Sequence, residues 1–334
     1  MNRFVMGTAI CLAVLTFSVQ AAEKRLDQTF SVTPGGRLTV DADGSTIEVT
    51  GADANQVVVR IVATGSESSL DDLELAAEQG TDGVSVRAKR RASGWFSWSG
   101  SRQMAVKVIV PKRYDVTLET SGGGIRLAQL QGEALGKTSG GNVSVAQVEG
   151  PVRMTTSGGS IDVSDVTGDT DIHTSGGGIS VRGLRGSLLA RTSGGSIQLE
   201  TIEGTTTAET SGGGVTALNI RGGVDLRSSG GGVKAEGIDG GIRVSSSGGD
   251  IRVELIGANR GINVSTTGGG IEMRVSRVIA GRLDAATSGG SVSSELPVTT
   301  TEARERRLSG TINGGGPEIR ARTSGGSIRL LARD

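Results

Sequence analysis

The sequence predicts an all-β protein, a parallel β-solenoid built from 18-residue coils. Three observations lead there. A short phrase, Ser/Thr-Ser-Gly-Gly-x-Ile/Val, returns at a fixed spacing. Apolar residues alternate after each copy of it. Glycine supplies 56 of the 334 residues, while Phe, Trp and Tyr number only 4, 2 and 1. A large globular core leans on aromatic rings, and this chain has almost none to offer. A narrow interior filled with small aliphatic side chains does not need them.

The repeat begins at Thr120-Ser121-Gly122-Gly123-Gly124-Ile125. It recurs at Thr138, Thr156, Thr174, Thr192, Thr210, Ser228 and Ser246, each 18 residues after the last. The spacing then loosens, through Thr266-Thr267-Gly268, Thr287-Ser288-Gly289 and a degenerate Ser309-Gly310, to Thr323-Ser324-Gly325. A period of this kind marks a stack of equivalent units. Within each unit two apolar residues flank an outward one, as in Ile161/Val163 and Ile197/Leu199. That is the alternation of a strand with one buried face. A third apolar residue follows three positions on (Val166, Leu184, Ile202), then a glycine (Gly168, Gly186, Gly204), then a second alternating pair such as Leu188/Ala190. Each unit therefore offers two short strands and two glycine-bearing corners, and glycine suits corners because it accepts positive φ.

One coil cannot bury its own apolar face, but stacked coils can. Equivalent strands should pair in parallel, and the Thr/Ser residues before Gly-Gly should form a hydroxyl ladder along one corner. Eleven or twelve coils at ~4.8 Å give a rod of roughly 50–60 Å. Right-handed coiling is expected, because parallel crossovers are overwhelmingly right-handed. Left-handed hexapeptide coils also use 18 residues, but the apolar spacing of two, three, four and two is not hexameric.

The chain divides into a leader at 1–21, an N-terminal β cap region at 22–118 and the repeat solenoid at 119–334. Arg3 followed by the uncharged, mostly apolar run Phe4 to Val19 reads as a secretory signal peptide, with cleavage after Ala21 or Ala22. The run falls short of the ~20 apolar residues that a span requires, and no later stretch replaces it, so the mature chain is expected to lack a transmembrane segment. Cleavage removes Cys11, and the exported chain then carries no disulfide. Its expected location is the periplasm, the cell surface or the extracellular space.

Between the leader and the repeats, strands are expected at Phe30–Val32, Arg37–Val40, Ile47–Val49, Val57–Val62, Val84–Ala88 and Ala105–Val110. Ser69 to Gln79 fits either a helix or a strand. The strand is favoured, with Asp82-Gly83 turning into Val84. This region is expected to cover the open edge of the first coil, since exposed strand edges recruit other chains.

Four features together resemble the bacterial putative-adhesin family of secreted β-strand-repeat proteins, a domain-of-unknown-function group. They are Pro34-Gly35-Gly36-x-Leu38, Gly44-x-x-Ile47-x-Val49, Val108-x-Val110-Pro111 and the Thr-Ser-Gly-Gly-x-Ile repeats. The resemblance spans nearly the whole mature chain. It implies a β-solenoid at the cell envelope and brings no catalytic residues with it.

The residue inventory excludes several chemistries. Lys+Arg and Asp+Glu are both 35, which leaves no electrostatic footprint for nucleic acid. One His (His173) and one Cys argue against His-based acid–base sites and Cys/His zinc sites. Asp162, Asp165, Asp169 and Asp171 cluster in sequence, but calcium wants six or more convergent oxygens, and an outward solvated face is the simpler reading. The Gly-Gly pairs lack the Lys-Ser/Thr of a phosphate loop. No cofactor, metal or catalytic residue is therefore expected. The anomaly is Trp95-Phe96-Ser97-Trp98, flanked by Lys89-Arg90-Arg91 and Arg102. Trp95, Phe96 and Trp98 are the candidate partner-binding residues, against the alternative of a loop that plugs the end of the solenoid.

The function expected from these readings is a non-enzymatic envelope or surface scaffold, adhesive, with a protein or glycan partner. One alternative is a periplasmic sensor or regulatory binding module that uses the aromatic loop. The other is a carbohydrate-active β-helix enzyme using carboxylates such as Asp162 and Asp171, which would have to sit about 5–10 Å apart in one groove.

Overall fold

The computed structural model describes residues 22–90 and 103–333. The leader and the segment holding Trp95, Phe96 and Trp98 lie outside the described residues. The chain is a parallel β-solenoid flattened into two sheets, one of 15 strands and one of 16. Each coil gives one strand to each sheet. Ile197–Glu203, for example, lies in the first sheet between Ile179–Arg185 and Val215–Arg221. Thr206–Thr210 lies in the second, between Leu188–Thr192 and Val224–Ser228. Counting the ends, thirteen parallel rungs stack in each sheet, an axial length of about 60 Å.

The apolar spacing has a direct backbone cause. Ile197 and Leu199 point inward by ordinary alternation, and Ile202 should then point out. It is instead fully buried, because Thr201 takes φ 55° and reverses the alternation. Gln129, Gln147, Asp165 and Asn219 do the same with φ between 54° and 60°, and Gly183 and Gly237 with φ 69°. The kink bends a seven-residue strand around the core so that three of its side chains face inward.

The two corners use glycine for different reasons. At the corner between strands, Gly150, Gly168, Gly186, Gly204 and Gly222 have φ between 142° and 154°, a region closed to most side chains. The Gly-Gly pairs are different. Neither Gly194 nor Gly195 has positive φ, which corrects the expectation of positive φ at every corner. Their constraint is proximity. A Cβ on Gly195 would sit 2.1 Å from the Gly177 carbonyl oxygen one coil below, inside backbone that cannot yield. On Gly194 it would stand 3.0 Å from the Gly176 oxygen, which is tight but less severe.

The hydroxyl ladder forms at this corner. Thr192 Oγ1 donates to the Gly177 carbonyl at 2.8 Å and accepts from the Gly195 N–H at 3.3 Å. Eleven coils repeat the donation, from Thr120 onto Ser45 to Thr323 onto Gly269. Each hydroxyl satisfies a buried carbonyl that the corner would otherwise leave without a donor. The second residue of each pair, such as Ser193, faces solvent.

Neither end follows sequence order. Arg37–Ala42 and Thr46–Ala52 form a coil directly against the first regular one, with Leu38 opposite Val116 and Ile47 opposite Ile125. The next coil outward comes later in the chain, from Gly83–Arg90 and Gln103–Pro111. Antiparallel strands finish this end: Gln56–Gly65 and then Ala22–Ser31 in the first sheet, Leu73–Gln79 in the second. Over most of Ser69–Gln79 the favoured strand is the one formed, with a helical turn ahead of it. Glu67–Asp71 is a helical turn that buries Leu70, and Leu73–Gln79 is the strand of the hairpin.

The far end is interleaved in the same way. The last coil of the chain, Glu318–Thr323 and Ile328–Arg333, is not outermost. It slots between the coil of Ile262–Thr266 and Ile271–Ser276 and that of Gly281–Thr287 and Val292–Ser294. The antiparallel pair Arg307–Ile312 and Thr299–Arg304 closes the second sheet there.

Tyr114 fills the corner position that Gly132, Gly150 and Gly168 occupy in later coils. It is fully buried, and Gly36 in the adjoining coil makes room for it, since a Cβ there would lie 2.8 Å from the ring. Its hydroxyl has no partner, and burial pushes its pKa up.

Candidate functional site

The outward residues fall into columns, one per strand position, running along each sheet. On the first sheet one column reads Arg126, Ser144, Asp162, Ser180, Gln198, Thr216, Lys234, Arg252. On the second, Leu135, Arg153, Asp171, Leu189 and Thr207 stand in register. Asp162 and Asp171 therefore lie on opposite outer faces of the solenoid, with the core between them. They cannot share a groove, so these two carboxylates do not form the pair that a carbohydrate-active enzyme would need. Asp165 sits at the strand kink and Asp169 at the glycine corner, where its Oδ1 accepts the Ser187 N–H at 2.9 Å. Asp162 and Asp165 thus lie on the first sheet, and Asp169 and Asp171 border one groove of the second. Among the described residues no group of three or more His, Cys, Asp or Glu could hold a metal ion.

A shallow groove of about 580 Å³ opens on the second sheet, on a regular coil face. Its floor is the column from Leu135 to Thr207, and the turn residues Glu133, Pro151 and Asp169 form one wall. Leu135 and Leu189 bracket a single ion pair, Arg153 Nε to Asp171 Oδ2 at 3.5 Å, both members substantially exposed. The groove is amphipathic: apolar at both ends, with one charge of each sign in the middle. His173 lies on the same strand as Asp171, exposed, with Thr155 and Arg191 as its register neighbours.

Beyond Leu189 the face becomes a chain of ion pairs. Arg191 Nε meets Glu209 at 3.2 Å, Arg227 bridges Glu209 and Asp225, and Arg243 approaches Asp225 at 3.9 Å. Burial works to raise the Glu209 carboxyl, but hydrogen bonds from Arg227 and Arg191 outweigh it, and its pKa lies below the ordinary 4.5. The first sheet shows the same habit, with Arg182–Glu200 at 3.0 Å and Arg221–Glu203 at 3.2 Å, each pair one coil apart. These faces largely neutralise themselves.

A second groove, of about 500 Å³, opens on the first sheet where the first coils meet strand Gln56–Gly65. Ile109, 44% exposed, lies among Arg60, Lys107 and Lys112. Lys112 pairs with Asp53 at 2.8 Å and Lys107 with Glu48 at 3.2 Å. The sequence reading passed over both grooves. The signal it could have used is leucine at an outward repeat position, Leu135 and Leu189, where other coils carry charged, hydroxyl or amide residues.

The candidate partner residues Trp95, Phe96 and Trp98 lie outside the described residues. No helix among the described residues is long and apolar enough to cross a membrane.

Among solved structures the chain is similar to a putative cell adhesion protein from Clostridium sporogenes, at 10% identity and TM-score 0.22, over 94% of this chain and 100% of that one. It is similar to a putative adhesin from Bacteroides fragilis at 14% identity and TM-score 0.26, over 94% and 100%. A putative lipid binding protein from Parabacteroides distasonis matches at 12% identity and TM-score 0.30, over 92% and 96%. None of the three superposes closely enough to bear on function. No curated protein matches the sequence. The Toastrack DUF4097 family model matches residues 36–221 and 214–331, which takes in the regular coils and both interleaved ends. The chain belongs to the Toastrack DUF4097 family.

Proposed function

We propose that this protein is an exported, non-enzymatic scaffold of the cell envelope, of adhesin type, that binds a glycan or protein partner across the second sheet. One observation carries the reading: the groove in which Leu135 and Leu189 bracket the Arg153–Asp171 pair. Apolar surface with a polar centre, held on a hydrogen-bonded stack of coils, is suited to a partner that docks without reaction.

Immobilised protein should retain a component of solubilised envelope. Leu135→Asp with Leu189→Asp should weaken that retention at least tenfold and leave the melting temperature within a few degrees. Gln198→Asp, on the opposite face, should leave it unchanged. Retention indifferent to both leucines would remove the groove from the proposal, and turnover of an envelope polysaccharide by the purified protein would end the non-enzymatic reading. A sensor or regulatory module is the second reading, and the cluster Trp95, Phe96 and Trp98 favours it. Pull-down with a Trp95→Ala/Trp98→Ala variant separates the two, since only the module reading loses its partner.

A further inference from the structure

Among the described residues, the first sheet ends on a ten-residue strand, Ala22–Ser31, bonded on one side only, to Gln56–Gly65. The direction of its free groups can be read from two hydrogen bonds. The Val32 N–H donates to the Asn55 carbonyl at 3.1 Å, which puts the even-numbered residues in the bonded pairs. The odd-numbered backbone groups of Glu23, Arg25, Asp27 and Thr29 therefore point away from the sheet. The Ser31 carbonyl confirms the parity, because it accepts from Gln79 Nε2 at 2.9 Å on that outer side. An unpaired row of this length is a template for another strand.

Edge strands often use lysine to repel such pairing. Here Lys24 is turned away from that task. Its Nζ donates to the Leu70 and Leu73 carbonyls at 3.0 and 2.6 Å, tying the strand to the second sheet. The exposed charges on the outer face are Glu23, Arg25 and Asp27, an alternation of sign. Within one copy Arg25 bonds Glu23 at 2.5 Å and Asp27 accepts from Arg60 at 2.9 Å, so pairing between copies is an exchange of ion-pair partners.

We infer that Ala22–Ser31 is a self-association edge, at which two copies of this chain pair antiparallel about a two-fold axis through Leu26. In that register Arg25 of each copy lies opposite Asp27 of the other, so two cross-strand ion pairs form at once. Both are odd-numbered, so their free N–H and C=O groups meet as the bonded pair an antiparallel ladder requires. Leu26, half-buried on the inner face, meets its own symmetry mate, and Ala22 meets Phe30. The neighbouring registers are disfavoured. Centring on Arg25 sets Arg25 against itself and Glu23 against Asp27. Centring on Asp27 sets Asp27 against itself. Centring on Lys24 restores Glu23–Arg25 pairs but sets lysine on lysine and leaves Asp27 and Phe30 outside the ladder. Centring on Gln28 brings no like charges together, but it sets Arg25 against Ser31 and Asp27 against Thr29 and so forms no ion pair. Like charges directly opposite are destabilising and opposite charges favourable, so the Leu26 register is preferred. A self-complementary patch on a two-fold axis is the commonest route to a closed dimer.

The full-length gene product should sediment as a concentration-dependent dimer. Arg25→Pro deletes an outward N–H without touching the bonds to Gln56–Gly65, and it should lower the association constant at least tenfold with the melting temperature unchanged. Leu26→Cys, in a Cys11→Ser background, should cross-link on mild oxidation, because a non-bonded antiparallel pair sets Cα atoms ~4.5 Å apart, within disulfide reach. Lys24→Cys and Gln28→Cys should not, since their mates are about 13 Å away along the strand. A protein that stays monomeric at about 100 µM overturns the proposal. So does a dimer indifferent to Arg25→Pro, or one that cross-links better through residue 24 or 28 than through residue 26.

Discussion

The middle of this molecule and its two ends use the same coil and obey different rules of order. Between Thr120 and Ser246 neighbouring strands of each sheet pair at a spacing of 18 residues, and each contact is local. At the ends, Ile319 pairs with Ile262 and Leu38 with Val116, across long stretches of chain. In a simple stack the last coil has one neighbour and frays first. Here the last coil in sequence has two neighbours, because the chain runs outward, turns back through antiparallel strands and inserts it. The difference shows that the repeat alone fixes coil shape, while the order of coils at the ends is set by long-range pairing. Loop closure makes that pairing costly in entropy, and two-sided burial offsets the cost.

The largest effect should come from the middle, at the Gly-Gly corner. Gly195→Val places a branched side chain 2.1 Å from the Gly177 oxygen, and should cost more than about 4 kcal/mol or prevent folding. Gly194→Ala, one residue away with 3.0 Å of clearance, should cost clearly less. Gln198→Val on the outer face should stay within about 0.5 kcal/mol. Thermal melts of the three rank them, and equal losses at 194 and 195 would contradict close coil contact as the reason for the second glycine.

The ends come next. Ile319 and Ile197 are both fully buried, so Ile→Ala should cost about 2–5 kcal/mol at either site. Denaturant titration that finds Ile319→Ala nearly neutral would make the C-terminal coil a frayed end.

The hydroxyl ladder should have a smaller effect. Thr192→Val leaves the Gly177 carbonyl and the Gly195 N–H without their partner and should cost about 1–3 kcal/mol. Thr192→Ser should recover most of it, since Ser228 and Ser246 hold the same bonds in their own coils.

The smallest effect is electrostatic. The folded-state pKa of Glu209 is depressed, so its contribution to stability is fully present above the ordinary carboxylate value of 4.5 and is lost as pH falls through the folded value. Glu209→Gln should flatten that acid limb slightly. The pair network is exposed, so the change should shrink further in high salt. An acid limb identical in the variant would show that the Arg191–Glu209–Arg227 pairs contribute nothing.

The sequence displayed the coil and concealed its arrangement. Thr192, Gly194, Gly195 and Ile197 recur because every coil meets the same backbone at the same distance, so the constraint is written into each copy. The strand kink was legible in part. Its positions carry Asp165, Asn219, Gly183 and Gly237, residue types that tolerate left-handed backbone, beside Gln129, Gln147 and Thr201, which do not advertise it. The interleaving was not legible. Residues 277 to 317 break the period, and nothing local states that Ile328 belongs beside Ile271 rather than beyond Val292. Outward positions are free of packing constraint, so the groove at Leu135 and Leu189 left only a faint trace.

Native-state hydrogen exchange on the C-terminal coil tests the account most directly. The Ile271 N–H donates to the Ser327 carbonyl and the Ile328 N–H to the Ser291 carbonyl, both at 2.9 Å. If the coil is inserted between its neighbours, these two amides should be protected to the same order as the central Ile197 amide, which donates to Gly214 at 3.0 Å. Rapid exchange at Ile328 together with strong protection at Ile197 would mean that residues 318–333 stack as an ordinary loose end, and would contradict the interleaved architecture.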